Sequence, residues 1–240
     1  MIKSSFVNYA HRGASSYAPE NTFASFYKGI ILGANGIETD IQSTRDGVLV
    51  LHHDDTLTRI CGLDKKVSDL TLKELRELDF GCYFSDKYAG EKIVTLIDFL
   101  TYFSSKNISF ALEIKQESIE EEAYDIANRF LSKEQYFFTS FSLKSVLKLA
   151  KTEYSPRLGY LSQSFDLDTI SELLENNVEQ YCPFAPELNE SQMQYLRSKE
   201  FNVRAWGVAN EEIMKQVYLL GVDGMTVNFP DKLYNLINDK

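Results

Sequence analysis

Short apolar runs alternate with amphipathic helical patterns from one end of this chain to the other, and no Pro-, Gly- or Ser-rich linker divides them. Strands that alternate with helices in this way build a parallel sheet whose faces the helices cover. Nine runs read as strands: Phe6–Ala10, Gly36–Gln42, Val48–His53, Phe110–Ile114, Tyr136–Ser140, Arg157–Leu161, Glu179–Pro183, Asn202–Trp206 and Asp223–Val227. One pair breaks the rule, because only Ser43 to Gly47 separates Gln42 from Val48, whereas a right-handed parallel crossover needs about a dozen residues. Those two runs form a hairpin, and Thr44-Arg45-Asp46-Gly47 supplies its turn, with glycine where a positive φ is wanted. Setting Val48–His53 aside as the returning arm leaves eight parallel strands, the number that closes a barrel. The predicted fold is α/β, a (β/α)8 TIM-type barrel with a β-hairpin after strand 2, and 240 residues suit one domain, 1–240, of that size.

Between the strands, Glu117–Leu131 places Ile119, Ala123, Ile126 and Phe130 on one helical face. Thr71 with Glu74 and Asn189 with Gln192 have capping-box spacing, Asn210 precedes the Ile213, Val217, Leu220 stripe, and Pro230 suits a first helical position. The segment from Asp54 to Lys92 is polar, with a short helix expected from about Thr71 to Asp79 and aromatic residues at Phe80, Tyr83, Phe84 and Tyr88. It reads as a small inserted lobe (54–92), either a lid or an excursion at one barrel end, and is too short to be expected to carry a core of its own.

Thirty-five acidic against 25 basic residues leave a net charge of −10, which repels nucleic-acid phosphate and anionic headgroups over most of the surface. Nucleic acid is thereby excluded as the main partner, and no amphipathic anchor favours stable membrane association. Charged residues interrupt every apolar stretch well before the roughly 18 residues that a membrane span requires. Cys61, Cys82 and Cys182 are far apart, make neither a disulfide framework nor a CxxC site, and fit a reducing compartment. With no secretory signal legible in MIKSSFVNYAHRGASS, a cytoplasmic protein is expected, as monomer or homo-oligomer.

In a barrel, side chains that act on a ligand sit at the carboxyl ends of the strands. His11-Arg12-Gly13 closes the first strand, Glu38 and Asp40 lie in the second, Glu113 with Lys115 closes the strand after the insertion, and Trp206 closes the seventh. Glu38 and Asp40 are two apart and point to the same side, where two carboxylates need either a proton or a cation between them. With Glu113 from the next barrel strand, three carboxylates and no cysteine favour one hard divalent cation, Mg2+ or Ca2+, with Mn2+ as a third candidate. Folding the hairpin about Arg45–Gly47 lays residues whose numbers sum to about 91–93 opposite one another, so His53 returns to the level of Glu38 and Asp40. His11 ends the neighbouring strand, and two imidazoles flanking an acidic metal site can serve as general base and general acid. Alternation turns His52 away from His53. Arg12 and Lys115 gather positive charge on the same rim, which suits an anionic, phosphate-bearing ligand; the alternative is charge balance against the carboxylates. Trp206 is either barrel wall or a platform for a small alcohol.

Taken in order, the motifs resemble those of the glycerophosphodiester phosphodiesterases: His11-Arg12-Gly13, Pro19-Glu20-Asn21-Thr22, Glu38-x-Asp40, Thr44-x-Asp46-Gly47, His53-Asp54, Leu112-Glu113-Ile114-Lys115, Ser140-Phe141, Trp206 and Gly221-Val222-Asp223-Gly224. The likeness runs from about residue 6 to 231. It implies a TIM-type barrel that hydrolyses glycerophosphodiesters, such as glycerophosphocholine or glycerophosphoethanolamine, to glycerol 3-phosphate and an alcohol. It also implies that His11 and His53 are the acid–base pair and that Glu38, Asp40 and Glu113 hold the divalent metal. Arg12 and Lys115 would hold phosphate oxygens, while Phe141 and Trp206 would line the glycerol pocket. Glu20 and Asn21 match the family loop as support beside the site, with Asn21 also a helix cap. Two positions depart from the family pattern. Asn228, in Val227-Asn228-Phe229-Pro230, stands where members often carry aspartate, and is expected to cap the last helix without a charge; His52 replaces a usually apolar residue. The rival readings are a lysophospholipase D, whose apolar groove the aromatic 80–88 segment would supply, and a catalytically silent binder of a phosphate ligand.

Overall fold

A computed structural model describes residues 6–154 and 156–238. In chain order the main sheet takes β1 (Val7–His11), β2 (Gly36–Ser43) and β3 (Leu49–Leu51). Beyond a lobe that holds β4 (Thr56–Leu57) and β5 (Leu63–Lys66), it continues with β6 (Ser109–Ile114), β7 (Tyr136–Ser140), β8 (Leu158–Ser162), β9 (Gln180–Pro183), β10 (Asn202–Val208) and β11 (Gly224–Val227). Eight of these strands run parallel in a closed ring, since β1 pairs with β11 on one side and β2 on the other. Closure leaves no exposed ladder edge in the ring. β3 lies outside, antiparallel to β2, with Ile41 opposite Leu51, Gln42 opposite Val50 and Ser43 opposite Leu49, the register expected from folding about Arg45–Gly47.

Helices α1 (Phe23–Ile31), α4 (Leu96–Phe103), α5 (Glu120–Phe130), α6 (Leu143–Ala150), α7 (Leu167–Glu175), α8 (Glu190–Ser198), α9 (Glu211–Leu219) and α10 (Pro230–Asn238) wrap the ring, while α2 (Thr58–Cys61) and α3 (Leu72–Glu77) belong to the lobe. Each wrapping helix turns its apolar stripe onto the strands, and residues such as Phe26, Ile37, Phe99, Phe103, Phe110 and Leu112 form the core between the two layers. Burying each such side chain is worth about 1.5–3 kcal/mol against leaving it exposed. The expected caps are in place: Thr71 and Glu74 make a capping box on α3, Asn189 and Gln192 another on α8, Asn210 accepts from the Ile213 amide, and Pro230 opens α10.

Three boundaries differ in ways that matter for the site. β3 stops at Leu51, so His52 and His53 stand just past the ladder. β10 runs on to Val208 with its register shifted between Ala205 and Val208, so Trp206 sits within the strand rather than at its end. α5 starts at Glu120, after Ser118 takes a positive φ of 75°. The lobe also has more structure than the sequence suggests: β4 and β5 form a two-stranded ladder, and Val50, Leu57, Ile60, Val67, Leu70, Leu75, Phe80 and Ile93 make a small apolar cluster of their own.

Candidate active site

The chain leaves β1 through a strained turn. Arg12 takes a φ of 55° and Gly13 one of 83°, and a β-carbon on Gly13 would collide with the Ser25 backbone, so only glycine fits. The Arg12 amide donates to the Glu38 carbonyl at 2.9 Å, and the Arg12 carbonyl accepts from the Asn21 amide at 2.9 Å, which fixes the turn against β2. Asn21 itself has a φ of 54°, and its side chain donates to Asp40 Oδ2 at 3.0 Å and accepts from Thr39 at 2.7 Å. The cap of α1 is therefore Thr22, not Asn21, whose side chain is turned to the carboxylate instead.

Register places the acidic residues side by side, His11 beside Glu38 and Asp40 beside Glu113. Among the described residues, Glu38, Asp40 and Glu113 offer carboxylate oxygens that all lie within 4.8 Å of one another, and all three side chains are buried. Lys115 Nζ stands 3.0 Å from Glu113 and 3.9 Å from Asp40 Oδ1, while Arg12 Nε lies 3.2 Å from Asp40 Oδ2 without the alignment of a hydrogen bond. Burial and the charges of Asp40 and Glu113 hold Glu38 well above the usual carboxylate range, and burial with the Asp40 charge pushes Glu113 up to about 7. Burial works the same way on Asp40, but Arg12, His53 and Lys115 overcome it and hold that carboxyl low. Asp40 Oδ1 is buried with no hydrogen-bond partner. An orphaned carboxylate oxygen beside two proton-hungry carboxyls is what a site for a hard divalent cation requires, so the residues present fit one.

The two histidines stand beside this group. His11 Nδ1 donates to Asn228 Oδ1 at 2.6 Å, leaving Nε2 3.8 Å from Glu38. Loss of water around the ring and the neighbouring Arg12 charge push His11 below the ordinary histidine range. Asn228 thus turns its side-chain oxygen to His11, a use that its expected role as a helix cap does not anticipate. His53 Nδ1 donates to Asp54 Oδ1 at 2.7 Å. The turn that carries His53 is pinned by Gln42, whose Nε2 donates to the carbonyls of His52, His53 and Asp54 at 2.9, 3.3 and 2.8 Å. His52 points away from the site, buried with its ring edge-on to Phe80 and Nε2 on the Thr56 carbonyl, and burial lowers its pKa.

A cavity of about 290 Å3 opens between these groups, and among its lining residues are His11, Arg12, Glu38, His53, Glu113, Phe141 and Trp206. Asp40 lies beneath it, fully buried, and Lys115 reaches over the Phe141 ring at 5.9 Å. Phe141 stands edge-on to Trp206 at 4.8 Å, and Trp206 Nε1 donates to the Ser162 carbonyl, which fixes the indole in the cavity wall. Glu20 is set back from the cavity, where it accepts from Arg12 Nη1 at 2.9 Å. The aromatic 80–88 segment does not line the cavity. Phe80 belongs to the lobe's own cluster, the Glu20 amide donates to the Tyr83 hydroxyl, and the Tyr88 hydroxyl donates to the Tyr17 carbonyl. The lobe is therefore docked on the loop after β1.

Sequence reasoning missed Arg204. It is 1% exposed in the barrel interior, donates to Gln180 Oε1 and Thr226 Oγ1, lies over the Tyr9 ring at 5.3 Å, and lines the floor of the cavity. Strand parity could have found it, since it is two residues before Trp206 and so faces the same side.

The chain is similar to known proteins over almost its whole length. The family model described as glycerophosphoryl diester phosphodiesterase matches residues 11–232. A glycerophosphodiester phosphodiesterase of Caldanaerobacter subterraneus subsp. tengcongensis is 32% identical over 233 residues, covering 95% of this chain and 96% of the relative. A phosphodiesterase of Oleispira antarctica, solved in complex with the product sn-glycerol-3-phosphate, superposes with a TM-score of 0.88 at 25% identity, covering 97% of this chain and 96% of its own. The glycerophosphodiester phosphodiesterase of Thermotoga maritima superposes with a TM-score of 0.81 at 26% identity, over 98% of this chain and 100% of its own.

Proposed function

This chain belongs to the glycerophosphoryl diester phosphodiesterase family, and on that footing we propose that it hydrolyses glycerophosphodiesters, such as glycerophosphocholine or glycerophosphoethanolamine, to glycerol 3-phosphate and the free alcohol. The observation that carries the reading is the convergence of His11 and His53 on one cavity over the Glu38, Asp40 and Glu113 carboxylates. The Oleispira relative holds sn-glycerol-3-phosphate, and a cavity of about 290 Å3 lined by Arg12, with Lys115 against the lining residues Glu113 and Phe141, suits the same phosphate-bearing ligand.

Glu38, Asp40 and Glu113 would hold a divalent cation, Mg2+ or Ca2+ with Mn2+ as a third candidate. When bound, such a cation supplies Lewis-acid neutralisation of phosphoryl charge. Arg12 and Lys115 hold the non-bridging phosphate oxygens, so the charge that develops on them meets fixed donors instead of water. His11 and His53 each commit Nδ1 to an oxygen, Asn228 and Asp54 respectively, which leaves Nε2 of both rings free for the cavity. One takes the proton of the nucleophile, water or the substrate's own 2-hydroxyl, and the other returns one to the leaving alkoxide. Phe141 and Trp206 pack the glycerol carbons, and Glu20 and Asn21 support Arg12 and Asp40.

We read the lobe as part of the same catalytic unit. Among the described residues no helix is long and apolar enough to cross a membrane, and the three unpaired cysteines fit a cytoplasmic setting. The test is release of glycerol 3-phosphate from both diesters by metal-stripped protein, with Mg2+, Ca2+ or Mn2+ added back and Glu38→Ala as control. Metal-restored release that the control lacks is expected; folded protein that releases nothing with any of the three overturns the reading.

A further inference from the structure

Arg59, on the short helix α2 of the lobe, touches neither the cavity nor the carboxylate cluster, yet it joins the two halves of the site. Its Nη1 and Nη2 grip Glu20 at 2.7 and 2.8 Å, and its Nε donates to Asp54 Oδ2 at 2.7 Å. Glu20 in turn holds Arg12 at 2.9 Å, and Asp54 holds His53 at 2.7 Å. One guanidinium thus sets both the carboxylate that orients the phosphate-binding arginine and the carboxylate that orients one histidine. The planar fork is what allows this, since lysine offers a single point charge and cannot bridge two carboxylates in fixed directions.

We propose that Arg59 is a positioning residue for the phosphodiester site, through which docking of the lobe aligns Arg12 and His53 together. The inference rests on the proposed function, and two features favour orientation over stability as its role. Arg59 is 45% exposed, and ion pairs so open to solvent contribute little to folding. Its partners Glu20 and Asp54 nonetheless hold Arg12 and His53, which line the cavity, and changing such outer contacts typically costs about 10–100-fold in activity.

Arg59→Ala should lower kcat by about 10–100-fold while Tm falls by no more than about 4 °C, and millimolar guanidinium should restore several-fold of the loss. Arg59→Lys should recover little of it. Arg45→Ala removes a somewhat more exposed arginine that pairs with Glu74 of the lobe, and should leave kcat unchanged. A double variant with Glu20→Gln should fall by less than the product of the single losses. Binding of glycerol 3-phosphate in Mg2+, followed by calorimetry, reads the position of Arg12 without turnover and should weaken about tenfold in Arg59→Ala. If the wild type cleaves no diester, the reaction has been misread, and the calorimetric contrast alone decides on Arg59. If Arg59→Ala does not fold, the same contrasts apply to Arg59→Lys. Turnover and product affinity within threefold of wild type, or losses that track the unfolded fraction, would overturn the proposal.

Discussion

The molecule has two acidic groupings that share Arg12, and their physical condition is opposite. In the barrel, Glu38, Asp40 and Glu113 are buried with Arg12 and Lys115 as their close cations; Glu38 and Glu113 are held up toward their protonated forms, and Asp40 keeps an unpartnered oxygen. In the seam between barrel and lobe, Glu20 and Asp54 are gripped by Arg12, Arg59 and His53, and these donors outweigh partial burial and hold both carboxyls below the usual range. The seam is satisfied by its own side chains. The barrel group is not, since its three carboxylates outnumber the two cations beside them. Acidic residues therefore differ in function by what answers them, more than by how many there are.

The largest expected effect breaks this contrast at its sharpest point. Glu38→Gln should lower diester turnover by about 10³-fold or more, the several kcal/mol that charge neutralisation at a transferring phosphoryl supplies. The same change should leave the metal-free Tm unchanged or raise it, because a buried carboxyl with little compensation has been removed. Glu20→Gln should do the reverse to stability, lowering Tm with or without metal by the equivalent of about 2 kcal/mol, since it unpairs Arg12 and Arg59. Thermal unfolding in chelator and in Mg2+ reads both, and equal shifts in the two variants would erase the distinction.

Next in size is the lobe itself. Leu75 is fully buried in its small cluster, and Leu75→Ala should cost about 2–5 kcal/mol. If the lobe is a local cooperative unit, limited proteolysis should cut within 54–92 before the barrel unfolds, and turnover should fall with the intact lobe. Simultaneous loss of lobe and barrel would show that the seam is not a boundary.

The parts of this arrangement that could be read from the sequence are those that obey a period. Alternation put Glu38 and Asp40 on one face, the short hairpin brought His53 back to them, and parity removed His52. The family loop put Asn21 beside the site, but the cap reading of it fails because Asn21 and Thr22 are adjacent and both suit a helix cap; the left-handed φ that turns Asn21 toward Asp40 leaves no mark in residue order. Arg59 was missed because the lobe's apolar residues follow no single period, so its docking, and hence its bridge between Glu20 and Asp54, is visible only in three dimensions. Arg204 obeyed parity and was overlooked, since arginine is seldom fully buried.

The pH dependence sharpens the contrast with a smaller effect. Glu38 and Glu113 have folded pKa values raised above their unfolded ones; the Glu113 contribution is present below about pH 4.5 and is lost as pH rises through about 7, and Glu38 works in the same direction. His11, depressed in the fold, works in the other direction. The metal-free protein should accordingly gain more from Mg2+ at pH 8 than at pH 5.5, with a rise of about 5–10 °C at a hundred times the dissociation constant. Glu20 and Asp54 have lowered values, so the seam keeps its contribution above about pH 4 and loses it only as pH falls further. A gain from Mg2+ that is the same at both pH values would mean that the barrel carboxylates are already ionised without metal.

The smallest change makes one side of the barrel mouth resemble the seam. Asn228 accepts from His11 Nδ1 through a neutral amide oxygen, whereas His53 faces the Asp54 carboxylate. Asn228→Asp places a carboxylate on each imidazole. A negative charge at hydrogen-bond distance favours the imidazolium, so the His11 pKa should rise, by roughly one unit for a charge-assisted bond of this kind. If His11 acts as the neutral ring that accepts a proton, the acid limb of the kcat/KM profile moves up with it from about 4, costing about fivefold near pH 4 and almost nothing above pH 6. If instead His11 acts as the acid, the variant gains at the alkaline end. Superimposable profiles would show that ionisation of His11 limits neither limb.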